Sequence, residues 1–295
     1  VTQRIYLADV FAEQRYAGNP LAVVIGDQAL PDDTMQRLAA EVNYSETTFV
    51  APVPSGDGGF RVRIFTPARE IAFAGHPILG TASVLRHHLA LPLTAPLRLN
   101  LMVGRVKVTF EQASDGLEVA WFEAPRVSLG ATCAREPMAA ALGIAPSDID
   151  DRSPVQQAGA GTAAMIVPLR NLDALRRSML NLDAYAPLAA QGFPPLVYLF
   201  SRETNDPRND LCARFFFEAH GVREDPATGN AAAFLGAYLL QHRVLSDGEV
   251  SLRIEQGHLV RRPSLVLLRA RRTSGALFEI HVGGAVIQTV RGELL

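Results

Sequence analysis

Apolar and polar positions along the chain alternate in short strand-like runs, interrupted by two segments of another kind. Phe60, Val62 and Ile64 alternate with Arg61 and Arg63, the period-two pattern of a half-buried strand. The same reading predicts strands over 5–11, 21–25 and 46–50, with Gly18-Asn19-Pro20 as a turn between the first two. After Pro31-Asp32-Asp33, the residues Met35, Leu38, Ala39 and Val42 fall three and four apart, which predicts an amphipathic helix ending near Asn43. Further strands are predicted over 97–102, 106–110 and 117–121, and in the second half over 163–167, 196–200, 211–217, 250–255, 264–270, 277–282 and 285–291. The two exceptions have no polar face. Ile78, Leu79, Ala82, Val84 and Leu85 run almost without interruption to Arg86, and 231–240 is equally apolar, so buried central helices are predicted at 77–89 and 229–241. A change of domain near 123–130 gives halves 1–124 and 125–295, with the last strand free to return to the first half.

The two apolar helices open on related segments. Aligning His76 with Asp225 places Pro77 on Pro226, Gly80 on Gly229 and Ala82 on Ala231, so HPILGTA faces DPATGNA and a duplicated folding unit is implied. A helix start carries unpaired backbone N–H groups and the positive end of the helix dipole, which together favour a bound anion. Gly75, Gly80, Gly229 and Asn230 are therefore expected to frame a carboxylate site through backbone and amide donors. The competing reading of the glycines is close packing of helix on strand.

Composition narrows the partners. The chain has 295 residues, 48% of them hydrophobic, and a formal net charge of −2, which gives no basic face for a nucleic acid. No run approaches the eighteen or so apolar residues of a membrane span, and the opening segment does not have the form of a secretion signal. The two cysteines, Cys133 and Cys212, make no disulfide framework, and a cytoplasmic location is expected. Neither GxGxxG after a first strand, GxxxxGK[ST] nor HExxH occurs, so no nucleotide, cofactor or metal is expected. The remaining histidines, His87, His88, His220, His242, His258 and His281, show no liganding spacing.

Five blocks in order, DVFAEQRYAGNPLAVV, NYSETTFV, FTPAREIAFAGHPILGTA, REDPATGNAA and EQGHLVRRPS, resemble the phenazine-biosynthesis (PhzF-like) family from Asp9 to Ser264. The resemblance implies an α+β, diaminopimelate-epimerase-like fold. Its two pseudo-symmetric halves each wrap a barrel-like, mostly antiparallel sheet around a central helix, with the active site in the cleft. It implies that Glu46 of the SETTF run moves the proton, assisted by His76 and Asp225. Racemising relatives of the fold carry cysteines at the two helix starts; this chain has His76 and Asp225 there, which disfavours two-thiol chemistry. Asn230 stands where the family often has serine, so the substrate of phenazine producers does not carry over. Asn19, Gln256 and Gly257 are further candidates for substrate contact. The expected activity is a cofactor-independent isomerisation of a small organic acid by a homodimer. An epimerase or dehydrating lyase acting on a hydroxylated acid, and a non-catalytic small-acid binding protein, stay open as alternatives.

Overall fold

A computed structural model of the chain describes residues 3–51, 56, 58–114, 116–217, 222–246, 248–273 and 277–295. The chain forms two compact units, Val1–Glu123 with Gly283–Leu295, and Ala124–Val282. Among the described residues, no helix is long and apolar enough to cross a membrane.

In the first unit, β1 (Gln3–Val10) pairs antiparallel with β2 (Asn19–Gly26), and β2 runs parallel to β3 (Glu46–Val50). The connection between β2 and β3 is α1 (Asp32–Val42), as a parallel pair requires. Next, β4 (Phe60–Phe65) pairs antiparallel with β3 and with the stub β5 (Glu70–Ile71), and parallel with β6 (Leu97–Leu101). Antiparallel β7 (Gly104–Gln112) and β8 (Glu118–Glu123) follow, and β17 (Phe278–Leu294) closes an eight-stranded ring by pairing with both β8 and β1. Inside it lies α2 (Gly75–His88), buried from Gly75 through Arg86 and in contact with β1, β2, β3, β6, β7 and β8. Burying side chains such as Ile78, Leu79, Val84 and Leu85 contributes about 1.5–3 kcal/mol each. Its one formal charge, Arg86, lies in the last turn, where the helix dipole favours it.

The second unit repeats this order. Antiparallel β9 (Ser128–Cys133), β10 (Val155–Ala160) and β11 (Thr162–Leu169) lead to β12 (Val197–Ser201), parallel to β11. Then β13 (Leu211–Phe217) pairs antiparallel with β12 and with the stub β14 (Val222–Asp225), and parallel with β15 (Glu249–Gln256), which pairs with β16 (Ser264–Arg272). The central α6 (Gly229–Gln241) contacts β9, β10, β11, β15 and β16. Three short helices, α3 (Arg135–Leu142), α4 (Leu172–Arg177) and α5 (Leu182–Ala190), cover the sheet. Met138, Leu142, Tyr185 and Leu188 pack there with Met165, Val167 and Leu199. Each unit is thus the diaminopimelate-epimerase-like half: a barrel-like, mostly antiparallel sheet around one helix.

Strand register shows how the halves correspond, and it corrects the alignment drawn from HPILGTA and DPATGNA. Phe65 pairs with Glu70, and Phe216 pairs with Glu224; Ile64 pairs with Ile71, and Phe215 with Asp225. The guanidinium of Arg63 binds Glu70 and lies over the Phe65 ring, while that of Arg214 binds Glu224 and lies over Phe216. Three residues separate each stub from its helix, so Gly75 matches Gly229, His76 matches Asn230, and Asp225 matches Ile71. Shared Pro, Gly and Ala made the shifted alignment attractive, but it sets a residue inside one helix against a residue of the preceding strand in the other. The start of α2 also lies two residues before the predicted 77, which puts His76 inside the first turn.

The predicted strands 277–282 and 285–291 are one strand. Gly283 and Gly284, which fall between the two predicted strands, both serve close packing. A Cβ on Gly283 would lie 2.4 Å from the Trp121 ring, and one on Gly284 2.3 Å from the Phe11 ring.

Candidate active site

Glu46 opens β3, and the two-residue period of a strand puts it on the same face as Thr48. That face looks at α2, because the Thr48 and Thr81 hydroxyls are 2.8 Å apart. His76 is the second residue of α2, and its Nε2 lies 3.4 Å from Oε2 of Glu46. His76 is 5% exposed, and burial lowers its pKa to about 3, so the ring is neutral. The other ring nitrogen settles the tautomer. Nε2 makes no hydrogen bond, so Nδ1–H is the group that donates to the Pro20 carbonyl. Nε2 then presents a lone pair to Glu46. Such a pair can hold one proton, bonded when it sits on the carboxyl and released when a stronger base or a carbanion takes it.

Pro20 lies in β2, which starts directly after Gly18, whose φ is +67° and whose Cβ would lie 2.3 Å from the Val10 carbonyl oxygen. Asn19, 1% exposed, accepts a hydrogen bond from Ser45 at 3.2 Å. Asn19, Pro20, Ser45, Glu46 and His76 therefore form one cluster. Gly75 opens α2 and is buried. For Gly80 the packing reading has geometry behind it: a Cβ there would lie 2.4 Å from Leu21 and 2.8 Å from Val10, so it serves the approach of helix to sheet. A pocket of about 230 Å³ lined by Val24, Met35, Phe49 and Arg61 lies on the opposite face of β3 from Glu46 and is no part of this cluster.

The other helix start is built differently. Asp225 ends β14, and the Thr228 hydroxyl donates to its Oδ2. Gln256, at the end of β15, donates to the Asp225 carbonyl at 2.8 Å and to the Thr228 hydroxyl at 3.2 Å. Its carbonyl oxygen accepts from the Thr228 N–H and from the Tyr198 hydroxyl, both at 3.4 Å. Gln256, a candidate for substrate contact, is fully buried, with its amide spent within the protein. Gly257 has φ +78°, and a Cβ there would lie 2.5 Å from the Pro226 carbonyl oxygen, so it lets β15 close on the turn before α6. Gly229 opens the helix and is buried, and Asn230 is half-buried in its first turn.

Helices α1, α3, α4 and α5 each carry an acidic residue in the first turn, whereas α2 and α6 carry none and have no side-chain cap. Both central helices thus keep positive ends unmatched by a first-turn carboxylate. Among the described residues, no group of three or more His, Cys, Asp or Glu is placed to hold a metal ion. Cys133 and Cys212 lie in β9 and β13, with thiol pKa values raised by burial. His87, His88, His242 and His281 bond to Ser83, Tyr6, Gln156 and Glu279, and His258 lies 3.9 Å from Glu255; His220 falls outside the described residues. Sequence reasoning missed Pro20, Ser45, Thr81, Thr228 and Tyr198. Ser45 and Thr228 stand inside blocks that carried the resemblance; Tyr198 gave no signal.

The family model described as phenazine biosynthesis-like protein matches residues 8–291. The chain is 33% identical over 299 residues to an uncharacterized isomerase of Mesorhizobium japonicum, covering 99% of both chains. It is 34% identical to the trans-2,3-dihydro-3-hydroxyanthranilate isomerase of Pseudomonas aeruginosa, covering 95% of each. The crystal structure of a PhzF-family phenazine biosynthesis protein from Bacillus anthracis superposes with a TM-score of 0.90 at 26% identity, over 100% of this chain and 99% of that one. Matched over nearly its whole length, the chain belongs to the phenazine biosynthesis-like, or PhzF-like, family of isomerases.

Proposed function

We propose that the chain moves a proton between two carbon atoms of a small organic acid, with its own side chains as the only acid and base. The observation that carries this reading is the close pair of half-buried Glu46 with a buried, neutral and tautomerically fixed His76. The Glu46 carboxylate takes a proton from one carbon. The electron pair of that C–H bond spreads through the adjoining unsaturated system, and the Glu46 carboxyl returns the proton at another carbon. Nothing is oxidised or reduced. His76 Nε2 accepts a hydrogen bond from the protonated carboxyl and steadies it between the two transfers. First-turn N–H groups of α2 suit the substrate carboxylate, and by the family resemblance Asp225 suits a hydroxyl or amino group. Relatives named for trans-2,3-dihydro-3-hydroxyanthranilate make that compound the first to try.

The test is proton NMR in D2O with this acid and a panel of unsaturated and hydroxylated acids. The expected result is deuterium at one carbon together with a shifted double bond, both abolished in Glu46→Gln. Undiminished exchange in that variant, or no exchange with any acid, overturns the proposal. Inversion at one carbon would indicate an epimerase, and loss of water a lyase.

A further inference from the structure

The polar cluster before α6 makes a one-way series of donors. The Tyr198 hydroxyl donates to Gln256 Oε1, Gln256 Nε2 donates to Thr228 Oγ1, and Thr228 Oγ1 donates to Asp225 Oδ2. Burial pushes the Tyr198 hydroxyl pKa up, so the head of the series keeps its proton. The amide of Gln256 can offer two donors and two acceptors, and all are used. Thr228 is the N-cap residue of α6, yet its hydroxyl makes no capping bond to the helix and serves Asp225 instead.

The first unit reveals how much of this the fold requires. Arg63 matches Arg214, so Phe60, which pairs with Leu99, matches Leu211, which pairs with Ile254, and Leu101 thereby matches Gln256. Asp225 matches Ile71, Thr228 matches Ala74, and Tyr198 matches Thr48. The same strands and helix start are thus built with Ile71, Ala74 and Leu101, with no polar series. The fold stands without it.

We infer that Thr228 and Gln256 are positioning residues that hold the Asp225 carboxylate in one orientation, as a hydrogen-bond acceptor towards substrate. This rests on the reading of Asp225 as a substrate-orienting residue, but its direct test does not need turnover. Crystal structures of the wild type, Thr228→Ser, Thr228→Val and Gln256→Met decide it. One Asp225 rotamer is expected in the wild type and in Thr228→Ser. A rotated or divided carboxylate is expected in Thr228→Val and Gln256→Met, with the backbone of α6 unmoved. An Asp225 rotamer that stays the same in both of the last two variants overturns the inference.

Kinetics with trans-2,3-dihydro-3-hydroxyanthranilate separate it from the reading it rests on. Thr228→Val should lower kcat by roughly 10- to 100-fold with a much smaller change in KM. Thr228→Ser should restore it, and in an Asp225→Asn background Thr228→Val should cost nothing more. Equal losses in both backgrounds would make Thr228 merely structural and sink the inference. Full activity of Asp225→Asn, or no turnover by the wild type of this compound or any other acid of the panel, would instead remove the underlying reading and leave the rotamers to decide positioning.

Discussion

The starts of α2 and α6 stand on one scaffold and carry different chemistry. Each follows a two-stranded stub fixed by an Arg–Glu pair and a cation over a phenylalanine ring, Arg63, Glu70 and Phe65 in one unit and Arg214, Glu224 and Phe216 in the other. On the first, Glu46 and His76 make a proton-holding pair; their counterparts in the second unit are Leu196 and Asn230. On the second, Asp225, Thr228 and Gln256 make a polar series; their counterparts are Ile71, Ala74 and Leu101. The two units share this geometry, while the side chains that carry chemistry at one helix start are not repeated at the other. A buried polar residue present in one copy and apolar in the other is therefore a better sign of function than one present in both.

The largest expected effect tests the α2 side. Glu46→Gln keeps size and shape but cannot accept a proton from carbon, so the rate of solvent exchange should fall by about 10²- to 10⁴-fold. Leu196→Gln, at the matching position of the second unit, should leave the chemical step untouched if stability is preserved. Comparable loss of kcat in both folded variants would break the comparison.

The shared scaffold gives the next effect. The Arg214 and Glu224 side chains are 8% and 5% exposed, against 20% and 25% for Arg63 and Glu70. Arg214 also donates to the carbonyls of Leu175 and Ser178, tying α4 and the segment after it to β13. Glu224→Gln leaves a buried guanidinium without its anion and should cost about 3–5 kcal/mol. Glu70→Gln weakens a wetter pair that Asp32 also serves, and should cost about 1 kcal/mol or less. Urea denaturation measures both, and equal costs would refute the difference in burial.

The same comparison shows what could be read from sequence. Strands with clean alternation, such as β4, and the two apolar helices were legible because one residue pattern decides each of them. The segments β9, α3, β10, α4, α5 and β14 were missed. They are short, and the apolar residues that α3 and α5 bury pack against strands distant in sequence. Glu46 and His76 stood out only through the blocks around them. Their 3.4 Å approach joins residues thirty positions apart, and nothing in composition announces it. Tyr198, Thr228 and Gln256 were harder still, since each is ordinary alone and gains its meaning from hydrogen bonds spanning up to 58 positions. The repeat was visible but misaligned, because identical letters outweighed the strand register that only pairing reveals.

A smaller effect follows from the neutral state of His76. Its pKa in the folded chain, about 3, lies below the unfolded value, so the neutral ring stabilises the fold fully above about pH 6.5, and that contribution is lost as pH falls towards 3. Between pH 6.5 and pH 5 the loss should be roughly 1–2 kcal/mol. His76→Asn installs the residue found at position 230 and should remove this part of the pH dependence. A urea midpoint whose pH profile is the same in wild type and variant would show that His76 is not neutral in the fold.

No effect on kcat is expected where the two scaffolds place different hydroxyls at one position, Thr48 in β3 and Tyr198 in β12. Thr48 bonds only locally, to Thr81 at 2.8 Å and to the Ala22 carbonyl at 3.5 Å, whereas Tyr198 heads the series that ends on Asp225. Thr48→Val orphans the buried Thr81 hydroxyl and should cost about 1–2 kcal/mol, while Thr48→Val with Thr81→Val removes both partners and should come back to within about 0.5 kcal/mol of wild type. Neither change should alter kcat, since no proton-moving group depends on that bond. A kcat lowered in the double variant at unchanged stability would place Thr48 and Thr81 in the support of Glu46, and the first unit would then have a positioning system of its own to set beside the one before α6.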